Sequence, residues 1–156
     1  MKSIGIRATP SSIHFSIYCN KAKVVINTEE VKIPLALTTP LGLKYIRSTI
    51  LDILREYEIE NACIRATEPS AQKPSIERLQ IEAVIQEAFA SSDLCRYYVG
   101  HISSISKNLG IQRTKFKPMV DGESNDLNIQ NWDILKKEQR EAVLAAIGAI
   151  ETQGGK

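Results

Sequence analysis

The sequence predicts an α/β domain built on a five-stranded mixed sheet, three antiparallel strands followed by two parallel ones, with helices flanking it. Three observations carry this. Early in the chain, Ile13, Phe15, Ile17 and Cys19 alternate with His14, Ser16 and Tyr18, the period of two that marks a strand. Further on, two stretches with apolar residues at helical spacing are each followed by a short apolar run. A last helical pattern closes the chain. Strands at hairpin distance pair antiparallel, whereas strands separated by a helix join by right-handed crossovers, which set the ends of the first and fourth strands side by side.

The elements follow in order. Residues 4–9 form an apolar run closed by Pro10-Ser11-Ser12, a turn signal. The alternating second strand places His14 on its polar side, facing solvent or a covering helix, with no catalytic role. Asn20-Lys21 makes a hairpin turn. Val24-Val25-Ile26 begins a third strand, which Val31-Lys32-Ile33 continues beyond a polar interruption before Pro34. Thr39 then reads as a helix N-cap with Pro40 in the first helical position. Leu43, Ile46, Ile50, Ile53, Leu54 and Tyr57 trace the apolar stripe of that helix. Ala62-Cys63-Ile64 is a short buried strand. A second helix starts near Pro74, with Ile76, Leu79, Ala83, Ile85 and Phe89 turned inward. Residues 94–99 form the fifth strand and 102–109 a short helix. The final helix covers residues 132–150, with Val143, Ala146, Ile147 and Ile150 on its apolar face. Residues 1–151 thus form one domain, and 152–156 are expected to fray. Residues 110–131 show no period and are expected to be a long loop, the length at which loops are functional or mobile.

Composition narrows the function classes. The chain has 156 residues, 43% hydrophobic and 24% charged, enough apolar material for a core without disulfides or metal. Twenty Lys and Arg against eighteen Asp and Glu give a net charge of +2, too mild to demand a nucleic-acid or membrane partner. No apolar run approaches the roughly 18–20 residues of a membrane span. Met1-Lys2-Ser3-Ile4 enters a strand pattern at once, so no signal peptide is expected and the cytoplasm is the expected location. Cys19, Cys63 and Cys95 show no CxxC spacing, and His14 and His101 stand apart from them. These are reduced structural thiols, and no zinc site is expected.

Ile4-Gly5-Ile6 leads into the Pro-Ser-Ser turn, and with the element order it resembles the RNase H-like superfamily, above all its RuvC-like Holliday-junction resolvase branch. In that branch the first strand reads Gly-Ile-Asp-Pro-Gly, the fourth ends Ile-Glu, and the final helix opens Asp-x-x-Asp-Ala. The matching stretches here are Gly5-Ile6-Arg7-Ala8-Thr9-Pro10, Cys63-Ile64-Arg65-Ala66-Thr67 and Glu138-Gln139-Arg140-Glu141-Ala142-Val143. Ile102-Ser103-Ser104-Ile105-Ser106-Lys107 is similar to the short helix after the fifth strand. The chain also resembles small bacterial proteins of this fold whose carboxylates are incomplete.

The resemblance implies a Mg²⁺ site built from converging carboxylates, and here the sequence departs from it. Arg7 and Arg65 stand where the first and fourth strands should carry acids. A guanidinium offers no lone pair and repels a cation. Glu138 and Glu141 keep the acidic i, i+3 spacing, so an Arg7, Arg65, Glu138, Glu141 ion cluster is expected in place of a metal centre, with no cofactor. Two readings stay open beside it: an external anion held between the arginines, or Glu68 joining Glu138 and Glu141 as three carboxylates for weak Mg²⁺ binding. The implied function is a catalytically inactive RuvC-like protein that binds nucleic acid or a protein partner. The alternative is a divergent metal-dependent nuclease using Glu68, Glu138 and Glu141. Lys107, Arg113, Lys115 and Lys117 suit a phosphate backbone, with Phe116 available to stack on a base. The resolvase resemblance also implies a homodimer, for which the helix surface around Ile81 and Val84 is a candidate.

Overall fold

The computed structural model describes residues 1–150; the tail at 152–156 expected to fray lies outside the described residues. The chain runs β1 (Lys2–Ala8), β2 (Ser12–Cys19), β3 (Val24–Lys32), α1 (Thr39–Glu56), β4 (Asn61–Arg65), α2 (Ile76–Ala90), β5 (Arg96–Gly100), α3 (Ile102–Leu109), α4 (Arg113–Val120) and α5 (Lys137–Gly148), with a 3-10 turn at Trp132–Ile134. The strands form one five-stranded sheet among the described residues, in the order β3-β2-β1-β4-β5. β1, β2 and β3 pair antiparallel, while β4 lies parallel to both β1 and β5. This is the predicted architecture.

The sheet has two faces of different chemistry. Ile4, Ile6, Ala8, Ile13, Phe15, Ile17, Ala62 and Ile64 pack under α1 and α2 in an aliphatic core. The opposite face carries Ser3, Gly5, Arg7, His14, Ser16, Asn61, Cys63 and Arg65, and α5 lies across it. Gly5 makes that approach possible: a Cβ there would stand 2.0 Å from the Ala142 carbonyl oxygen and 2.2 Å from the Ala146 nitrogen. Two polar side chains of this dry face bond to the helix backbone. Ser3 Oγ donates to Ala146 O at 2.5 Å, and Asn61 Nδ2 donates to Ala149 O at 3.0 Å.

Several boundaries shift. β3 runs unbroken through the polar stretch at residues 27–30, because its hydrogen bonds to β2 are made by backbone whatever the side chains are. The N-cap of α1 is Thr38 rather than Thr39, so Pro40 falls within the first turn. In α2 the apolar stripe is rotated from the predicted one. Ile81, Glu82, Ile85, Ala88 and Phe89 are buried, whereas Ile76 is 69% exposed and Ala83 lies on the outer side. Ile81 belongs to the core and Val84 packs against it. Ile81 itself is therefore not available to a second copy, whereas Leu79 on the same helix is 41% exposed.

The 110–131 segment is not the featureless loop its sequence suggested. Phe116, Met119 and Val120 are spaced i, i+3, i+4, and they seat α4 in a second core with Ile105, Trp132, Val143 and Leu144. One helical turn of apolar residues, diluted by Lys115 and Lys117 and interrupted by Pro118, is too short for a periodicity to stand out. α5 begins at Lys137, five residues after the predicted start, because Trp132 forms a separate 3-10 turn. Cys63 is buried, Cys95 exposed and Cys19 intermediate, all three free thiols.

Candidate functional site

Parallel pairing of β1 with β4 sets Ile6 opposite Ile64 and Arg7 opposite Arg65. Ile6-Arg7-Ala8-Thr9 recurs in the sequence as Ile64-Arg65-Ala66-Thr67, and this register brings the two arginines side by side. Register extends the row across the sheet, since Arg7 faces His14 on β2 and His14 faces Glu30 on β3. A line of ionisable residues, Glu30, His14, Arg7 and Arg65, therefore crosses four strands on the face covered by α5.

Glu141 closes the line from above. Its Oε2 lies 2.8 Å from Arg7 Nε and 3.2 Å from Arg65 Nε, with 6% of its side chain exposed. Arg7 Nη1 also donates to the carbonyls of Arg65 at 2.9 Å and Ala66 at 3.2 Å, and Arg65 Nη1 donates to Ala66 O. Two guanidiniums on adjacent strands repel one another, and a carboxylate between them reverses the sign of the interaction. Burial, and then the nearby Arg65 and Arg78 guanidiniums, bring Arg7 down to about 10 against the upward pull of Glu141 and Glu82. It remains cationic at neutral pH.

The predicted members part company here. Arg7, Arg65 and Glu141 meet. Glu138, one turn earlier on the same helix, instead lies within electrostatic reach of His14. Glu68 does swing towards the strand ends, but onto partners of its own: its Oε1 sits 3.4 Å from Arg65 Nη1 and accepts the backbone N–H of Ile102 at 2.8 Å, capping α3.

A second ion layer went unforeseen in the sequence. Glu82, 3% exposed, accepts from Thr67 N at 2.5 Å and Thr67 Oγ1 at 2.9 Å, and Arg78 Nε lies 3.6 Å away. A signal existed: Ile81, Ile85, Ala88 and Phe89 define the inward face of α2, and Glu82 falls on it. Arg140 was also missed. It donates to the carbonyls of Trp132 at 3.1 Å, Val120 at 3.2 Å and Asp133 at 3.3 Å, tying the end of α4 to the 3-10 turn.

The donor set does not suit a hard divalent cation. Such an ion needs several free anionic oxygens, whereas Glu141 is committed to two guanidiniums and Glu68 to a third contact and a helix terminus. Among the described residues no three His, Cys, Asp or Glu side chains form a group that could hold a metal.

His14 is 3% exposed, not solvent-facing, and its Nε2 lies 3.1 Å from Glu30 Oε2. Burial pushes it below the ordinary imidazole range, while Glu30 and Glu138 pull it back up and Lys136 lowers it further. The unfolded chain therefore binds a proton more readily than the folded one. The stabilising contribution is complete above the unfolded pKa of about 6.5 and is lost as pH falls below it. Melting temperature is expected to drop from about pH 7 to pH 5, and His14→Gln to remove part of that drop. Parallel pH profiles for the two proteins would refute the assignment.

Of the residues expected to meet nucleic acid, Lys107 on α3 and Arg113, Lys115 and Lys117 on α4 are all exposed. Phe116 is not. It is 2% exposed in the core, with Arg65 Cζ 5.5 Å from its ring centre, so it offers no platform for a base. No helix among the described residues is long and apolar enough to cross a membrane.

No protein-family model matches the sequence, and no curated protein matches it either. Solved structures do. The RuvC structure from Thermus thermophilus superposes with a TM-score of 0.73 at 13% identity, covering 97% of this chain and 94% of that one. The T. thermophilus RuvC in complex with its Holliday junction substrate gives 0.72 at 12% identity, covering 97% and 93%. The fold is therefore the RNase H-like fold of the RuvC resolvases.

Proposed function

We propose that this chain is a non-hydrolytic protein of the RuvC fold that binds nucleic acid through its phosphates, with an arginine–glutamate bridge in place of a metal centre. The observation that carries this is the shared Glu141 oxygen, 2.8 Å from Arg7 and 3.2 Å from Arg65. The carboxylates that resemblance to the resolvases calls for on the first and fourth strands are guanidiniums, and they engage Glu141, one of the two carboxylates kept on the last helix. Hydrolysis by metal-activated water has no ligand set to start from.

Two observations support nucleic acid as the partner. RuvC, alike over nearly the whole chain, has been solved with a Holliday junction. Here the exposed basic residues Lys107, Arg113, Lys115 and Lys117 concentrate on α3 and α4, free of acids until Asp121. With Phe116 buried, those helices offer cations for phosphates and no aromatic platform for a base.

The test uses a four-way DNA junction. Binding is expected to weaken with salt at a logarithmic slope on the order of 3 to 4, if all four cations neutralise phosphates. Millimolar Mg²⁺ or Mn²⁺ is expected neither to promote cleavage nor to raise the melting temperature, since a cation held by the native state must raise it. Cleavage, or a metal-dependent rise, would reinstate a divergent nuclease built on Glu68, Glu138 and Glu141. Absence of salt-sensitive binding would overturn the nucleic-acid assignment in favour of a protein partner.

A further inference from the structure

Arg65 differs from Arg7 in what it reaches. Through Nε it meets Glu141 of α5 at 3.2 Å. Through Nη1 it meets Glu68 at 3.4 Å, and the same Glu68 oxygen accepts the first backbone N–H of α3 at 2.8 Å. Its Cζ lies 5.5 Å from the centre of the Phe116 ring in α4. One guanidinium, 4% exposed, thus touches α4 and α5 directly and α3 through one intermediate. Arg7 bonds instead to the β4 carbonyls and Glu141.

We infer that Arg65 is a positioning residue for the basic face of α3 and α4, holding the helix that carries Lys107 and the helix that carries Arg113, Lys115 and Lys117 in one fixed relation. This rests on the reading of those helices as the phosphate-binding surface. The chemistry suits the task. Guanidinium is planar, so it lies over an aromatic ring while its edge pairs with carboxylates, and it stays charged when buried. An ammonium supplies the charge without the plate. Phe116 is therefore not a lost base-stacking residue; its ring is the plate against which the strand-end arginine fixes α4. Phosphates repeat along a duplex at fixed intervals, so two short helices that shift against each other lose simultaneous contacts and the salt dependence that goes with them.

The test compares wild type with Arg65→Met, Arg65→Lys and Phe116→Leu, using a four-way DNA junction over a range of salt, with hydrogen exchange followed along the chain. Arg65→Met is expected to weaken binding about 10-fold at moderate salt and to flatten the salt slope by roughly one to two contacts. Amide exchange is expected to quicken in residues 102–120 and to stay unchanged in α1. Arg65→Lys keeps the pairing with Glu141 yet is expected to bind like Arg65→Met. Phe116→Leu keeps apolar volume and removes the ring, and carries the test should Arg65→Met fail to fold; its affinity is expected to fall about 3-fold. Wild-type affinity and slope in both Arg65→Met and Phe116→Leu would overturn the inference. Should wild type itself not bind the junction, the nucleic-acid assignment fails, and exchange alone then judges Arg65: unchanged protection of α4 in the variants refutes a positioning role, and selective loss upholds it.

Discussion

Glu141→Gln is expected to lower the melting temperature by on the order of 10 °C. The side chain is all but buried and lies within ion-pair distance of two guanidiniums, which themselves sit opposite one another on β1 and β4. Glutamine keeps the shape and removes the charge. Arg7 and Arg65 then face each other, with Arg78 adding to the repulsion on Arg7. Removing one member of a buried ion group costs about 3–5 kcal/mol, because the charges left behind have lost both water and partner. For a domain of this size each kcal/mol moves the melting point by about 2–4 °C. Glu138→Gln, one turn away and half-buried, is the control, expected to cost well under what Glu141→Gln costs because Glu138 does not lie between the two arginines. Equal melting points for the Glu141 variant and wild type would show that Glu68 and Glu82 neutralise the arginines unaided.

Gly5→Ala is expected to leave little folded protein. A methyl group at this position would stand 2.0 Å from a carbonyl oxygen and 2.2 Å from an amide nitrogen of α5, both backbone atoms with no rotamer to change. Relief requires moving α5 off the sheet. That movement breaks the Ser3 and Asn61 bonds to the α5 backbone and its C-cap, and withdraws Glu141 from the arginines. Overpacking usually costs about 1–3 kcal/mol, and a backbone clash that spreads to a helix exceeds that range. Soluble Gly5→Ala protein with a melting temperature within a few degrees of wild type would show that α5 can stand further from β1.

Much of the candidate site was legible before any coordinates. Arg7 and Arg65 are identified from the stretches that match the first and fourth strands of the resolvases and from the topology that brings those strands together. Their departure from an acidic pattern was visible by comparison with the resolvases. Glu141 is legible with them from the acidic spacing of the last helix; the other partners are not. Glu82 and Arg78 belong to a helix whose inward face was misjudged by a fraction of a turn. Arg140 satisfies three carbonyls from segments with no regular period. Phe116 lay in a lysine-rich stretch where aromatic and basic residues together suggest nucleic acid, and only packing reveals that its ring faces inward.

By itself the sequence determined what depends on local pattern: the apolar run of β1, the alternation that makes β2, the 3.6-residue stripe of α1, and the order of strands that follows from hairpins and crossovers. Tertiary structure alone decided which polar groups would be dry. Ser3, Arg7, His14, Ser16, Asn61 and Arg65 have the composition of a solvated face, and nothing local distinguishes it from one covered by an alanine-rich helix. Helix geometry decided the rest. Residues three apart on α5 differ by about 4.5 Å along the axis and by about 60° around it. A single carboxylate can therefore sit between two guanidiniums fixed by strand register, and the depth at which α5 settles over Gly5 makes it Glu141.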